Sequence, residues 1–188
     1  MGQSEPGHEL GLLYLQDVRA RMCGVRELGE GAMRQLSPGS WHAVLGEDEN
    51  SVAVTVQHLS GNMHSRWDNF LSSDGESATR DRDLEFIDVN ESRDQLMQRW
   101  ERGWAALFAA LYGLSDEDWT RWVTIRGETL SVIEAVQRQL SHYPHHVGQI
   151  VILARAMRGA DWRSLSVARG QSAAYTAAVS EAALKMRR

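Results

Sequence analysis

The sequence predicts an all-α fold, and three observations carry that prediction. Apolar residues recur mostly at intervals of three and four rather than in alternation, as helices with one buried face require. Only 3 prolines fall in 188 residues. A hydrophobic content of 43% at this length fills one core but is short for two ordinary domains, so residues 1–188 read as a single domain.

The first helix is expected from about Glu9 to Leu36, with Leu10, Leu13, Tyr14, Val18, Met22, Val25, Leu28 and Leu36 on its buried stripe. Ser37-Pro38-Gly39-Ser40 ends it. A connection through Trp41 and residues 46–50 leads to a second helix capped by Asn50 or Ser51. There Val52, Val56, Leu59, Met63, Trp67 and Phe70 keep the helical interval until Ser72-Ser73-Asp74-Gly75. The linker 74–82 is polar, and its run Arg80-Asp81-Arg82-Asp83 reads as a solvated, alternating-charge surface.

A third helix follows over about Ser92 to Leu111, with Leu96, Trp100, Trp104, Leu107, Phe108 and Leu111 on one side. Ser115-Asp116-Glu117-Asp118 opens a short helical turn ahead of Val123-Thr124-Ile125. Glu128 to Arg158 forms the long last helix, stopped by Gly159. The tail from Asp161 holds Trp162, Leu165, a glycine-bearing turn and an alanine-rich stretch, 173–187, suited to a final helix. Arg126 and Glu128 are either substrate contacts or a loop ion pair with a cap, and the residues alone leave both open.

Composition excludes several classes of function. A net charge of −5 and a pI near 5.8 provide no basic footprint for nucleic acid. The lone Cys23 makes no internal disulfide, fits a reducing compartment, and is expected to pack in the first helix rather than react. No run matches a secretory signal or approaches the roughly 20 apolar residues of a membrane span. Pro6 stands where a myristoylation motif wants Ser or Thr. A cytoplasmic location is therefore expected. No phosphate-cradling glycine motif or nucleophile elbow appears.

The chemistry concentrates in HYPHHVGQIV, residues 142–151. His142 and His146 are four apart, which on a helix puts both imidazoles on one face, about 6 Å apart at Cβ. Such pairs also arise as packing histidines, and two imidazoles alone fix a metal weakly, so a third ligand must come from elsewhere. His58, beside the core face of the second helix, is the best candidate. Pro144 falls between the pair, removes one backbone donor and opposes the Leu140 carbonyl, so the helix either kinks there or restarts. His145 lies about 100° from His146 and is expected at the surface or behind the ligands.

These segments, together with residues 56–76, 80–86, 125–128, 138–151 and 162–170, resemble the DinB/YfiT-like family, specifically a bacterial branch of unknown function. The resemblance spans nearly the whole chain. It implies a DinB-like four-helix bundle over about 9–160, with residues 161–188 as a C-terminal extension that includes a further helix. It also implies a metal site of one histidine on the second helix and an HxxxH pair on the last bundle helix. His58, His142 and His146 match those positions one by one. A homodimer is implied as well.

Three neutral imidazoles leave coordination positions open for water or substrate, the arrangement of catalytic rather than closed structural sites. Zinc is the first expectation and nickel the second, since imidazole suits both. Helical phase puts Asn62 and Ser65 near His58, and Gln149 and Arg138 near His142, each able to orient an imidazole or a substrate; Asn62 and Gln149 fit best. The resemblance implies a metal-dependent enzyme acting on a small-molecule substrate, with either a low-molecular-weight thiol as cosubstrate (S-transferase type) or water (hydrolase type). The rival is a non-enzymatic metal-binding stress-response bundle. No general-base carboxylate sits beside the HxxxH pair, which disfavours peptide hydrolysis of the HExxH kind.

Overall fold

The computed structural model describes residues 6–76 and 80–186. These form five α-helices and one two-stranded sheet: α1 Pro6–Met33, α2 Val52–Trp67, α3 Arg93–Gly113, β1 Trp122–Ile125, β2 Glu128–Ser131, α4 Val132–Arg158 and α5 Ser172–Met186. The protein is therefore mostly helical. No helix among the described residues is long and apolar enough to cross a membrane.

Each of the inner helices starts where a side chain can serve its unpaired amides. Ser51 Oγ accepts from Val54 N at 3.2 Å to open α2. Ser92 with Gln95 and Ser131 with Glu134 form reciprocal capping boxes at the starts of α3 and α4. At the far end of α4, Gly159 takes φ 53° and stops the helix, a backbone state that costs glycine little.

The first four helices pack on one another, α1 against α4 and α3, and α2 against α3 and α4. Val18 and Met22, Val56 and Leu59, Trp100, Trp104 and Leu107, and Val147 and Ile150 meet in one hydrophobic cluster, all 0–1% exposed. Burying a side chain of this size contributes about 2–3 kcal/mol. At Gly103 the α2 and α3 backbones come close, since an added Cβ would lie 3.2 Å from Ser60 Cα. Nearly every residue of α2 is buried, including Gln57, His58, Ser60, Asn62, Ser65 and Arg66. So many buried polar groups on one helix require partners, and they mark the wall where the site forms.

The sheet is a tight hairpin, with Trp122 opposite Ser131 and Ile125 opposite Glu128. Its loop is Arg126-Gly127 at φ 56° and 75°, both positive as a two-residue I′ hairpin turn requires. Asp74 clamps it: Oδ1 accepts from Arg126 N at 2.9 Å and Oδ2 from Gly127 N at 3.2 Å. Backbone amides, those of Glu76 and Arg126 foremost, hold the Asp74 carboxyl below its ordinary range.

Several sequence expectations need correction. The last long helix begins at Val132, not Glu128, because residues 128–131 pair as a strand. It runs as one helix through Pro144 and does not restart there. Leu10, Leu13 and Leu28 lie outside the buried stripe of α1, at 68%, 62% and 38% exposure, and Leu15, Met33 and Ala32 fill it instead. Tyr14 turns towards the 116–120 turn, its ring 5.0 Å from that of Trp119. Cys23 is exposed rather than packed. α2 ends at Trp67, and Phe70 is buried from the turn that follows.

Candidate metal centre

His58, His142 and His146 come together where α2 faces α4, with one nitrogen of each within 4.8 Å of the others. His142 Nε2 and His146 Nε2 are 3.1 Å apart, close to the separation of about 3.3 Å between two nitrogens on a tetrahedral zinc. The rings of His58 and His146 are 4.8 Å apart and those of His58 and His142 5.5 Å. The HxxxH spacing survives Pro144 because Tyr143 and Val147, both 0% exposed, seat the helix on either side of it.

Neighbouring groups set the ring orientations. His58 Nδ1 lies 3.0 Å from Glu85 Oε2, and His146 Nδ1 lies 2.8 Å from Gln149 Oε1. An Nδ1–H donated to each oxygen leaves both Nε2 lone pairs free, the arrangement in which histidines bind metals. Burial, then the neighbouring imidazoles, pushes His142 down to about 3, and burial also lowers His146. Both are therefore neutral at pH 7 and able to ligate. His142 Nδ1 is buried without a partner among the described residues. By these measures the cluster could hold a divalent metal.

Glu85 is the residue that periodicity could not find. It arrives on a 3-10 turn, Leu84–Phe86, that packs on α2. Its carboxylate fills the space that a side chain on Gly61 would take, so any larger residue at that position would displace it. Arg80 clamps it from behind, Nε to Oε1 at 2.6 Å and Nη2 to Oε2 at 2.7 Å. Burial would raise the Glu85 carboxyl, but the hydrogen bonds from Arg80 and His58 outweigh it and hold it below the ordinary range. Arg80 is thus no part of a solvated run: its side chain is 5% exposed, and its ion pair outweighs the desolvation that would lower it. Phe86 stacks on the His58 ring at 4.7 Å.

The remaining predicted residues take distinct places. Asn62 Oδ1 accepts at 3.1 Å from the Tyr143 hydroxyl, which itself accepts from Trp67 Nε1 at 2.9 Å. That buried chain ties α4 to α2 directly beneath the histidines, and helical phase gives no signal for the part Tyr143 plays in it. Gln149 sits between His146 and the exposed His145, whose Nε2 is 3.3 Å from its amide nitrogen. Ser65 serves the loop, donating to the Gly75 carbonyl at 2.7 Å. Arg138 pairs with Glu128 at 2.9 Å, and Arg126 with Glu76 at 2.7 Å, so both IRGE residues are ion-paired.

A cavity of ≈ 200 Å³ opens over the cluster, lined by the three histidines together with Asn62 and Arg138 among others. A larger one, ≈ 770 Å³, lies against the Glu85–Arg80 pair and holds no converging imidazoles. The smaller is the candidate ligand site, because among the described residues the three ring nitrogens converge beside that opening.

Compared with known families, the chain matches "Protein of unknown function (DUF1572)" over residues 9–171. It belongs to that family. The match takes in all three histidines as well as Glu85 and Arg80. Neither the curated proteins nor the solved structures returned a match.

Proposed function

We propose that this protein is a metal-dependent enzyme of the DinB/YfiT-like kind, a four-helix bundle in which His58, His142 and His146 hold one divalent ion, zinc first and nickel second. The observation that carries this reading is the convergence of three ring nitrogens within 4.8 Å, two of their rings fixed by partners, under a cavity. A structural zinc site normally closes its tetrahedron with a fourth protein ligand, whereas three side chains converge here among the described residues.

A divalent ion at these nitrogens supplies a Lewis acid that favours ionisation of a water or a thiol near neutral pH. The chain's own groups do the rest. Glu85 and Gln149 keep the Nε2 lone pairs of His58 and His146 turned inward, Phe86 covers the His58 ring, and the Tyr143 chain fixes the distance between the helices that carry the ligands. Glu85 is already committed to His58 and Arg80, and no carboxylate among the described residues lines the cavity to act as a general base. That favours a nucleophile that ionises on its own, such as a small thiol, over peptide hydrolysis. The reaction class is thiol transfer to a small electrophile, with hydrolysis as the second reading. A homodimer accords with the family resemblance, and the exposed residues 172–182 of α5 offer a surface for it.

Elemental analysis of the purified protein tests the site. About one divalent ion per chain is expected, lost in His58→Ala and in His146→Ala, and unchanged metal content in either variant would remove the assignment. For the reaction, a cobalt-loaded sample should change its visible spectrum when a small thiol is added. An unaltered spectrum, with no thiol-dependent turnover of electrophiles, would leave the non-catalytic metal-binding reading.

A further inference from the structure

We infer that the face of the histidine cluster open to solvent is built to receive a substrate bearing an oxyanion, a carboxylate or a phosphate, held by arginines. The cavity over the histidines is lined by Arg66, Arg82, Arg126 and Arg138, and no carboxylate among the described residues lines it. Glu76 accompanies Arg66 and Arg126, at 3.1 and 2.7 Å, and Glu128 accompanies Arg138, at 2.9 Å. Arg82 has no ion pair among the described residues and rests over the Phe86 ring, 5.1 Å from its centre. Arg66 and Arg126 share Glu76 with Arg80, while Asp74 and Glu85 stand close by without lining the cavity.

Two deeply buried side chains in the lining carry unused hydrogen-bonding capacity. Arg66 is 5% exposed, and although Nη1 donates to the Gly75 carbonyl and to Glu76, its Nε has no acceptor among the described residues. Gln139 is 3% exposed, and its Oε1 has no donor among the described residues. An unmatched buried donor on a cation is costly unless an anion supplies the acceptor, and here four guanidinium groups line the opening that an anion would enter. Guanidinium forks match the paired oxygens of carboxylate and phosphate, and the orphaned Gln139 oxygen accepts a hydroxyl or amide hydrogen beside that group. At ≈ 200 Å³ the cavity admits a small anionic group rather than a polymer.

This inference deepens the proposed metal-dependent reaction and rests on it only for placing the anion beside the reacting atoms; the cradle itself is made of arginines. The test is calorimetric titration of the full chain, metal-loaded and metal-free, with inorganic phosphate and with malonate at constant ionic strength. Saturable binding of at least one of the two is expected in both forms, and the tighter of the two identifies the class. Arg82→Gln, Arg126→Gln and Arg138→Gln should each weaken it about fivefold or more while metal content stays at the wild-type value. Arg82 is exposed, so its variant reports even if the others disturb the fold. No saturable binding up to about 10 mM, or binding that all three variants retain unchanged, overturns the inference. Binding that appears only in the metal-loaded form and ignores the arginines also overturns it and leaves the metal reading intact. Arginine-dependent binding in a protein that retains no metal sustains it and removes the metal reading.

Discussion

Replacing Glu85 should weaken metal binding without touching a ligand. Oε2 serves both His58 Nδ1, at 3.0 Å, and Arg80 Nη2, at 2.7 Å, while Oε1 serves Arg80 Nε, at 2.6 Å. In Glu85→Gln the amide NH2 must face either Arg80 Nε alone or both His58 and Arg80. The first is the lesser conflict, so His58 keeps an acceptor that has lost its charge. Glu85→Ala removes the acceptor altogether and frees the ring to change tautomer. Partners of this kind change metal affinity about 10–100-fold, so Gln belongs near the lower figure and Ala near the upper. Breaking a buried ion pair costs about 3–5 kcal/mol in stability, reduced here because Arg80 keeps Glu76 at 3.5 Å. Competition with a chromophoric chelator measures affinity, and urea unfolding of the metal-free protein measures stability. A Glu85→Ala variant that binds zinc within about threefold of the wild type would refute the reasoning.

Two further outcomes follow from the same geometry. Tyr143→Phe leaves the Trp67 indole N–H and Asn62 Oδ1 buried without partners, so it should cost about 2–4 kcal/mol in urea unfolding, and a loss below about 1 kcal/mol would contradict the role of that chain. The metal-free protein should lose stability in acid through His142, whose folded pKa of about 3 lies below its unfolded value of 6.5. The unfolded chain then takes the proton first, so this contribution is intact above about pH 6.5 and falls by about 1.4 kcal/mol per unit towards pH 3. Urea midpoints of wild type and His142→Asn between about pH 6.5 and 4.5 check it, and parallel curves would rule it out.

Helical phase makes much of this protein legible. The apolar intervals of α2 and α3 locate those helices to within a few residues, and the HxxxH spacing puts His142 and His146 on one face, where the structure brings them to His58. What phase cannot reach is whatever an irregular segment delivers. Glu85 and Arg80 come from a stretch with no period, and in the sequence their charges look like solubilising surface. The local hint is Gly61, which leaves room on α2 for a carboxylate that lies far along the chain. The hairpin leaves little trace in the sequence because Arg-Gly lacks the Asn-Gly or Asp-Gly signature, although Val123 and Ile125 alternate with the more exposed Trp122 and Thr124. Tyr143 is masked by the two histidines that flank its turn and dominate the chemical reading.

The hairpin's presence in a helical protein has a physical reason in Arg126. A non-glycine residue at φ 56° costs about 1–2 kcal/mol, and nothing in the turn alone repays a side chain there when glycine or asparagine would sit without strain. The offset comes from Asp74, which binds both turn amides, and from Glu76, which takes the Arg126 guanidinium at 2.7 Å. Glu76 also meets Arg66 and Arg80, and Arg80 holds Glu85 against His58. One connected set of charges therefore runs from the turn to a ring of the candidate metal centre. The strained residue is kept at the rim of the cavity, where its guanidinium lines the opening, and the same contacts that offset its strain also fix the carboxylate that orients His58.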